Sequence, residues 1–177
     1  MTGLIKEVTL KDGTRVALKF LSREDFELTL DFFRRLPEED RCYLRRDVTK
    51  REIIDERIGE IEAGLATGIV AVADGKIVGD ALLFVIPRGW YRKTGEMRLI
   101  VDPEYRESGL GTALAREIFI LAVKKDLRKL ESCAMETQPG AKRMVGKLGF
   151  VQEGVLSNFV VDTRGRVHNL ILMGMRL

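Results

Sequence analysis

A chain of 177 residues with 45% apolar and 32% charged side chains has the size and composition of a single globular domain, expected here over residues 1–177. Its 30 Lys and Arg against 27 Asp and Glu leave a net charge of +3, too even a balance to mark a binder of nucleic acid or of an anionic membrane. The start, MTGLIKEVTL, lacks the apolar core of a signal peptide and no apolar run approaches the roughly 20 residues that span a bilayer, so a cytoplasmic location is expected.

Residues 7–20 read as a hairpin, with EVTL and RVALKF as strands and Asp12-Gly13 between them in the pattern of a type I′ turn. Ser22 then reads as a helix N-cap with Asp25 three residues on, and Phe26, Leu30 and Phe33 follow at helical spacing until Pro37. The charged stretch 38–52 reads as a connection. A second helix presents Ile53, Ile54, Ile58 and Ile61 and is expected to stop at Gly64 and Gly68. From Ile69 the period changes: two apolar runs flank Ala73-Asp74-Gly75-Lys76 as a hairpin, the turn 87–95 follows, and Glu96–Val101 continues the meander up to Asp102-Pro103. Leu110, Ala113, Leu114, Ile118, Leu121 and Ala122 define a helix with one buried stripe. The remainder reads as a strand at 129–136, a short helix at 139–148 capped by Gly149, and a last hairpin about Thr163-Arg164-Gly165-Arg166. This order implies one mixed sheet with helices on both faces, an α/β (α+β) class.

The stretch MRLIVDPEYRESGLGTALAR, residues 97–116, is the one that most suggests chemistry. It runs from an apolar strand through a glycine-containing loop into a helix. Backbone amides from Glu107 through Ser108, Gly109, Leu110, Gly111 and Thr112 can converge on an anion, helped by the positive end of the helix dipole and by Arg106. The Gly-Lys-Ser/Thr of a nucleoside-triphosphate loop is absent. Cys42 and Cys133 match no metal-ligand spacing and read as free thiols. His168 is the sole histidine and reads as structural, so no metal site and no Ser-His-Asp hydrolase is expected.

The chain resembles the GNAT superfamily of acyl-CoA-dependent N-acyltransferases. Arg106-Glu107-Ser108-Gly109-Leu110-Gly111 fits that family's Q/R-x-x-G-x-G/A loop, Lys147-Leu148-Gly149-Phe150 fits its K-x-G-F closure, and the element order matches over essentially the whole length. A closer likeness is to the GNAT domain of bacterial protein lysine acetyltransferases, carried by Phe32-Phe33-Arg34-Arg35-Leu36, Tyr43-Leu44-Arg45 and the Gly95-Glu96…Val101 pattern. The resemblance implies a mostly antiparallel central sheet of about seven strands, acetyl-CoA as cosubstrate without a metal, and an amine acceptor, either protein or small molecule; a homodimer stays open. It implies that Leu99, Ile100 and Val101 meet the pantetheine arm in a splay between two strands, that the amide of Leu99 or Ile100 polarises the acyl carbonyl, and that Gln138 stands where relatives carry an asparagine. Amine attack on a thioester needs a base, and Glu96 is the candidate, against the simpler reading of an ion pair with Arg98 or a basic turn residue. Position 145, where many members carry a tyrosine acid, is Val145. Arg41, Arg45, Arg46 and the basic aromatic turn 88–93 are candidates for the acceptor's rim. A CoA-binding sensor without catalysis is the alternative function.

Overall fold

A computed structural model describes residues 3–177. Strands β1 (Gly3–Thr9) and β2 (Arg15–Phe20) form the N-terminal hairpin. Its turn departs from type I′: only Gly13 takes a positive φ, 88°, and its amide donates to the Leu10 carbonyl at 3.0 Å, so a type I turn closes on a left-handed glycine. The Asp12 carboxylate decides this by accepting the Thr14 amide at 3.0 Å.

Helix α1 (Phe26–Arg35) follows a 3₁₀ turn whose start is fixed as expected, with Asp25 accepting the Ser22 amide at 3.1 Å. The stretch read as a connection contains a short helix, α2 (Glu38–Arg41), before α3 (Arg51–Glu62). Gly64 ends α3, but Gly68 does not share in that stop. It lies within β3 (Ala66–Ala73), where a Cβ would come 2.8 Å from that of Leu21.

The chain continues through β4 (Lys76–Val85), β5 (Thr94–Val101), α4 (Leu110–Lys124), β6 (Lys129–Met135), α5 (Pro139–Lys147), β7 (Val151–Val161) and β8 (Val167–Arg176). All eight strands join one sheet in the order β1-β2-β3-β4-β5-β6-β8-β7, one more than expected because both strands of the first hairpin pair into it. Helix α4 buries Leu110, Leu114 and Ile118 with Leu18, Ile69, Ala81 and Met97 in a core on one face; α1 and α3 bury Leu30, Phe33, Ile54 and Ile58 with Val70 and Ile77 on the other. Among the described residues no helix is long and apolar enough to cross a membrane.

Every neighbouring pair of strands is antiparallel except β5 and β6. That parallel pairing lasts for Thr94–Lys129, Gly95–Leu130 and Glu96–Glu131 and then stops, so the two strands splay apart. Gly95 permits the join: a Cβ there would meet Leu127 and Leu83 Cδ1 at 2.7 Å.

Candidate active site

The splay exposes one edge of β5, and strand alternation decides which groups it shows. The Asp102 amide donates to the Val78 carbonyl at 3.0 Å, and from Gly79–Val101 to Val85–Gly95 the β4–β5 register has no shift. Counting back in twos, the amide and carbonyl of Ile100 face Asp80 on β4, while those of Leu99 and Val101 face the splay. The Val101 carbonyl there accepts Arg106 Nε at 3.3 Å. Of the three expected residues, Leu99 and Val101 therefore offer backbone to a ligand, whereas Ile100 offers only its side chain to the cleft.

Glu96, Arg98 and Ile100 project from the α1/α3 face of β5 into a cleft walled by Ser132, Cys133, Gln138, Met144 and Val145 on the far side. Glu96 sits at the closed end, its side chain 12% exposed. Arg98 Nε lies 2.9 Å from Glu96 Oε1 and Nη2 lies 3.0 Å from Oε2. Arg45, reaching in from the segment between α2 and α3, places Nη2 2.6 Å from Oε1 and Nη1 3.3 Å from Oε2. The pairing with Arg98 is the one the simpler reading foresaw; the second cation comes from the α2–α3 segment and not from the turn 88–93. In that turn Trp90 is 96% exposed. Arg46 is spent on Glu56 and Glu60 of α3, at 3.0 and 2.7 Å.

Beside Glu96, burial pushes the Glu131 carboxyl above the usual carboxylate range, and the negative charge of Glu96 adds to it. Burial likewise pushes the Cys133 thiol up, which keeps it a thiol at neutral pH. Cys42 is also a free thiol. Gln138 stands at the N-cap of α5, half-buried on the cleft wall, its amide donating to the Met135 carbonyl at 2.9 Å. Val145 is buried at the base of α5 and carries no proton to give.

At the other end of β5 the chain builds an amide cradle. Asp102 caps a 3₁₀ turn by accepting the Glu104 amide at 3.2 Å, and Ser108 Oγ donates to the Tyr105 carbonyl at 2.6 Å. Glu107 and Gly109 both take left-handed φ, 62° and 95°, and Gly109 is the N-cap of α4. Among the described residues no backbone acceptor meets the amides of Gly109, Gly111 or Thr112, and the Leu110 amide has only Ser108 Oγ at 3.4 Å. These are the orphan donors of a helix start, consecutive along one loop. Gly111 is not needed for the turn: a Cβ there would meet Met144, Val101 and Leu99 at 3.5 to 3.8 Å, ordinary contact. Arg106 leans over the loop with Nη2 2.7 Å from Asp40 Oδ2.

A sequence profile of the acetyltransferase (GNAT) family matches residues 27–150, well over half of the chain and the whole of this splay, loop and helix. The protein belongs to the GNAT acetyltransferase family. Solved structures agree on the fold. The ribosomal-protein-S5-alanine acetyltransferase of Vibrio fischeri superposes with a TM-score of 0.81 at 15% identity, covering 98% of this chain and 96% of its own. The GNAT domain of S. lividans PAT gives 0.78 at 16%, covering 97% and 96%. The yncA protein of Salmonella typhimurium, solved with its cofactor acetyl-CoA, gives 0.76 at 18%, covering 92% and 94%.

In this acetyltransferase further polar residues frame the site. Lys11, in the first hairpin's turn, donates its amide to the Ser108 carbonyl at 3.0 Å and pins the cradle from outside. Asp40 pairs with Arg106, and Tyr43 donates its hydroxyl to the Thr137 carbonyl at 3.1 Å across the mouth of the splay. His168 is structural, with Nε2 3.0 Å from Asp162 Oδ2 in the β7–β8 hairpin. That contact, with the Arg166 amide, holds the Asp162 carboxyl well below its usual range. Among the described residues no group of three His, Cys, Asp or Glu gathers as a metal site.

Proposed function

We propose that this acetyltransferase moves the acetyl group of acetyl-CoA to an amine, with Glu96 as the general base. What supports the reading most is one strand that carries a carboxylate at the closed end of a cleft and leads, at its other end, into a cradle of unpaired amides. The orphan amides of Gly109, Gly111 and Thr112, together with Arg106 and the nearby Lys11, suit a diphosphate. Glu107, Ser108 and Leu110 shape that loop, and the backbone of Leu99 and Val101 runs beside the pantetheine arm, with Gln138 opposite. The cosubstrate supplies an activated acyl group; the chain orients it, excludes water and moves protons.

The chemistry balances with the groups present. Glu96 takes a proton from the acceptor's ammonium, directly or through one water. The neutral nitrogen attacks the thioester carbon, the carbonyl oxygen leans on the Leu99 amide, the C–S bond breaks and the CoA sulfur leaves as thiolate, while the nitrogen, now bonded to the acyl carbon, gives its surplus proton to solvent. With Val145 in place of an acid, the thiolate takes its proton from solvent. Arg98 keeps the Glu96 carboxylate aimed while Arg45, half-exposed, is the partner free to swing away.

A protein lysine or N-terminus is favoured over a small amine as acceptor. The exposed aromatic turn at Trp90 and Tyr91 offers a rim for a chain, and two of the similar structures bear the names of a PAT and a ribosomal-protein-alanine acetyltransferase. We read residues 1–177 as one catalytic domain working in the cytoplasm. Thiol release from acetyl-CoA, followed with a panel of peptides, N-termini and polyamines, tests the reading. Tight CoA binding with no amine raising the release rate above background would leave a CoA sensor instead.

A further inference from the structure

Glu96 and Arg106 lie at opposite ends of the site, yet one short segment engages both. In the stretch 37–50, Asp40 Oδ2 lies 2.7 Å from Arg106 Nη2 and Arg45 Nη2 lies 2.6 Å from Glu96 Oε1. Between them the Tyr43 hydroxyl reaches the Thr137 carbonyl on the opposite side of the splay, at 3.1 Å. The segment thus presents an anion where a phosphate is to bind and a cation where an ammonium is to bind.

We propose that Asp40 and Arg45 are positioning residues that hold the seats of both substrates until these arrive, Asp40 standing in for a phosphate oxygen on Arg106 and Arg45 for the acceptor's ammonium on Glu96. This rests on the roles given to Arg106 and Glu96 above. The exchange is purely ionic, with one anion replacing another on a guanidinium and one cation replacing another on a carboxylate. It favours the substrates because the Asp40–Arg106 pair is partly exposed, with side chains 20% and 46% accessible, and such pairs are weak. A diphosphate brings more charge and also satisfies amides that Asp40 leaves unpaired. Because Asp40 and Arg45 share one short segment, CoA arriving at Arg106 loosens the hold of Arg45 on Glu96. The acceptor then meets a freed base only in the loaded enzyme. Were the Asp40–Arg106 pair simply there to orient Arg106 for CoA, removing Asp40 would weaken binding. The substitute role predicts the opposite sign.

Calorimetric titration of CoA into the wild-type protein, Asp40→Asn and Glu39→Gln separates the two. Glu39 is exposed on the same turn, and its side chain makes no ion pair among the described residues. Asp40→Asn is expected to bind CoA about two- to fivefold more tightly, the size of a released surface ion pair, while Glu39→Gln stays near wild type. Hydrogen exchange over residues 41–48 is expected to rise on adding CoA to the wild type and to be already raised in free Asp40→Asn. With the best acceptor of the amine panel, Arg45→Gln lowers the acceptor KM. An unchanged or weaker CoA affinity in Asp40→Asn, or protection of 41–48 by CoA, overturns the Asp40 half; an unchanged or raised acceptor KM in Arg45→Gln overturns the other. Failure of the wild type to bind CoA at all overturns the cradle assignment first, and this inference with it.

Discussion

Glu96 and Glu131 stand side by side as the last parallel pair between β5 and β6, one with both oxygens held by guanidinium groups and the other outside every ion pair and side-chain hydrogen bond among the described residues. Around Glu131 stand Glu96 from β5, Arg45 from the α2–α3 segment, Lys129 on its own strand and Glu153 from β7, and burial outweighs the two cations. Its carboxyl is raised in the folded state, so the folded protein holds this proton longer than the unfolded chain. Stability is therefore lost as pH rises from the ordinary glutamate value towards the raised one. Glu131→Gln is expected to raise the melting temperature at pH 7.5 and to change it little at pH 4, which thermal unfolding across pH measures.

Glu96→Gln keeps the size and shape of the side chain but leaves one acceptor where the guanidinium groups of Arg98 and Arg45 had two, and it cannot take a proton. We expect kcat to fall by about 10²–10⁴-fold while CoA affinity stays put. Calorimetry and steady-state rates on one preparation give both values. An unaltered pH–rate profile in this variant would remove Glu96 from the role of base.

Arg106→Ala takes the formal charge from the cradle and should weaken CoA about tenfold, the scale of one charge-assisted contact. Gly111→Val adds bulk that the cleft wall accepts at its Cβ but not beyond, since Met144, Val101 and Leu99 already stand at contact distance. Combined, the two changes should abolish measurable CoA binding. Surviving affinity would place the diphosphate elsewhere.

Beneath the cleft Arg57 Nη2 lies 2.5 Å from Asp80 Oδ1, with side chains 12% and 5% accessible. Burial pushes the Asp80 carboxyl up and Arg57 opposes it. Arg57→Met strands the carboxylate under the cleft floor and is expected to cost about 3–5 kcal/mol by denaturant unfolding. Asp80→Asn added to it should recover part of that loss, giving a double mutant less destabilised than the sum of the singles.

Much of this was readable in the chain because it is local. The amide cradle follows from a strand, a left-handed Gly109 and a helix start within about a dozen residues, and the capping of α1 by Ser22 and Asp25 within four. Which backbone groups β5 turns to the splay was not readable, because Leu99 and Ile100 differ only in which neighbouring strand they face, and that is set by pairing with β4. Gly68 misled for a similar reason: its freedom looked like a helix stop, while its lack of a side chain serves the contact of β3 with Leu21. Asp40 was visible only as a charge, and Arg45 only as part of a Tyr-Leu-Arg likeness and as a candidate for the acceptor's rim. Their partners lie far along the chain, and nothing in the spacing of ion pairs announces which distant residue they will find.

Among the described residues three ladder pairs join β5 to β6, with only the Lys93 carbonyl, accepting the Arg128 and Lys129 amides, extending that join. The protein is in that sense two stiff plates sharing a short seam, and an opening motion meets least resistance there. Amides of residues 94–96 and 129–131 should exchange with solvent sooner than those of β3 and β4, which are paired along their length on both sides or nearly so. A molecule lodged past the seam would act as a splint, and its grip would be felt as slower exchange along strands it never touches.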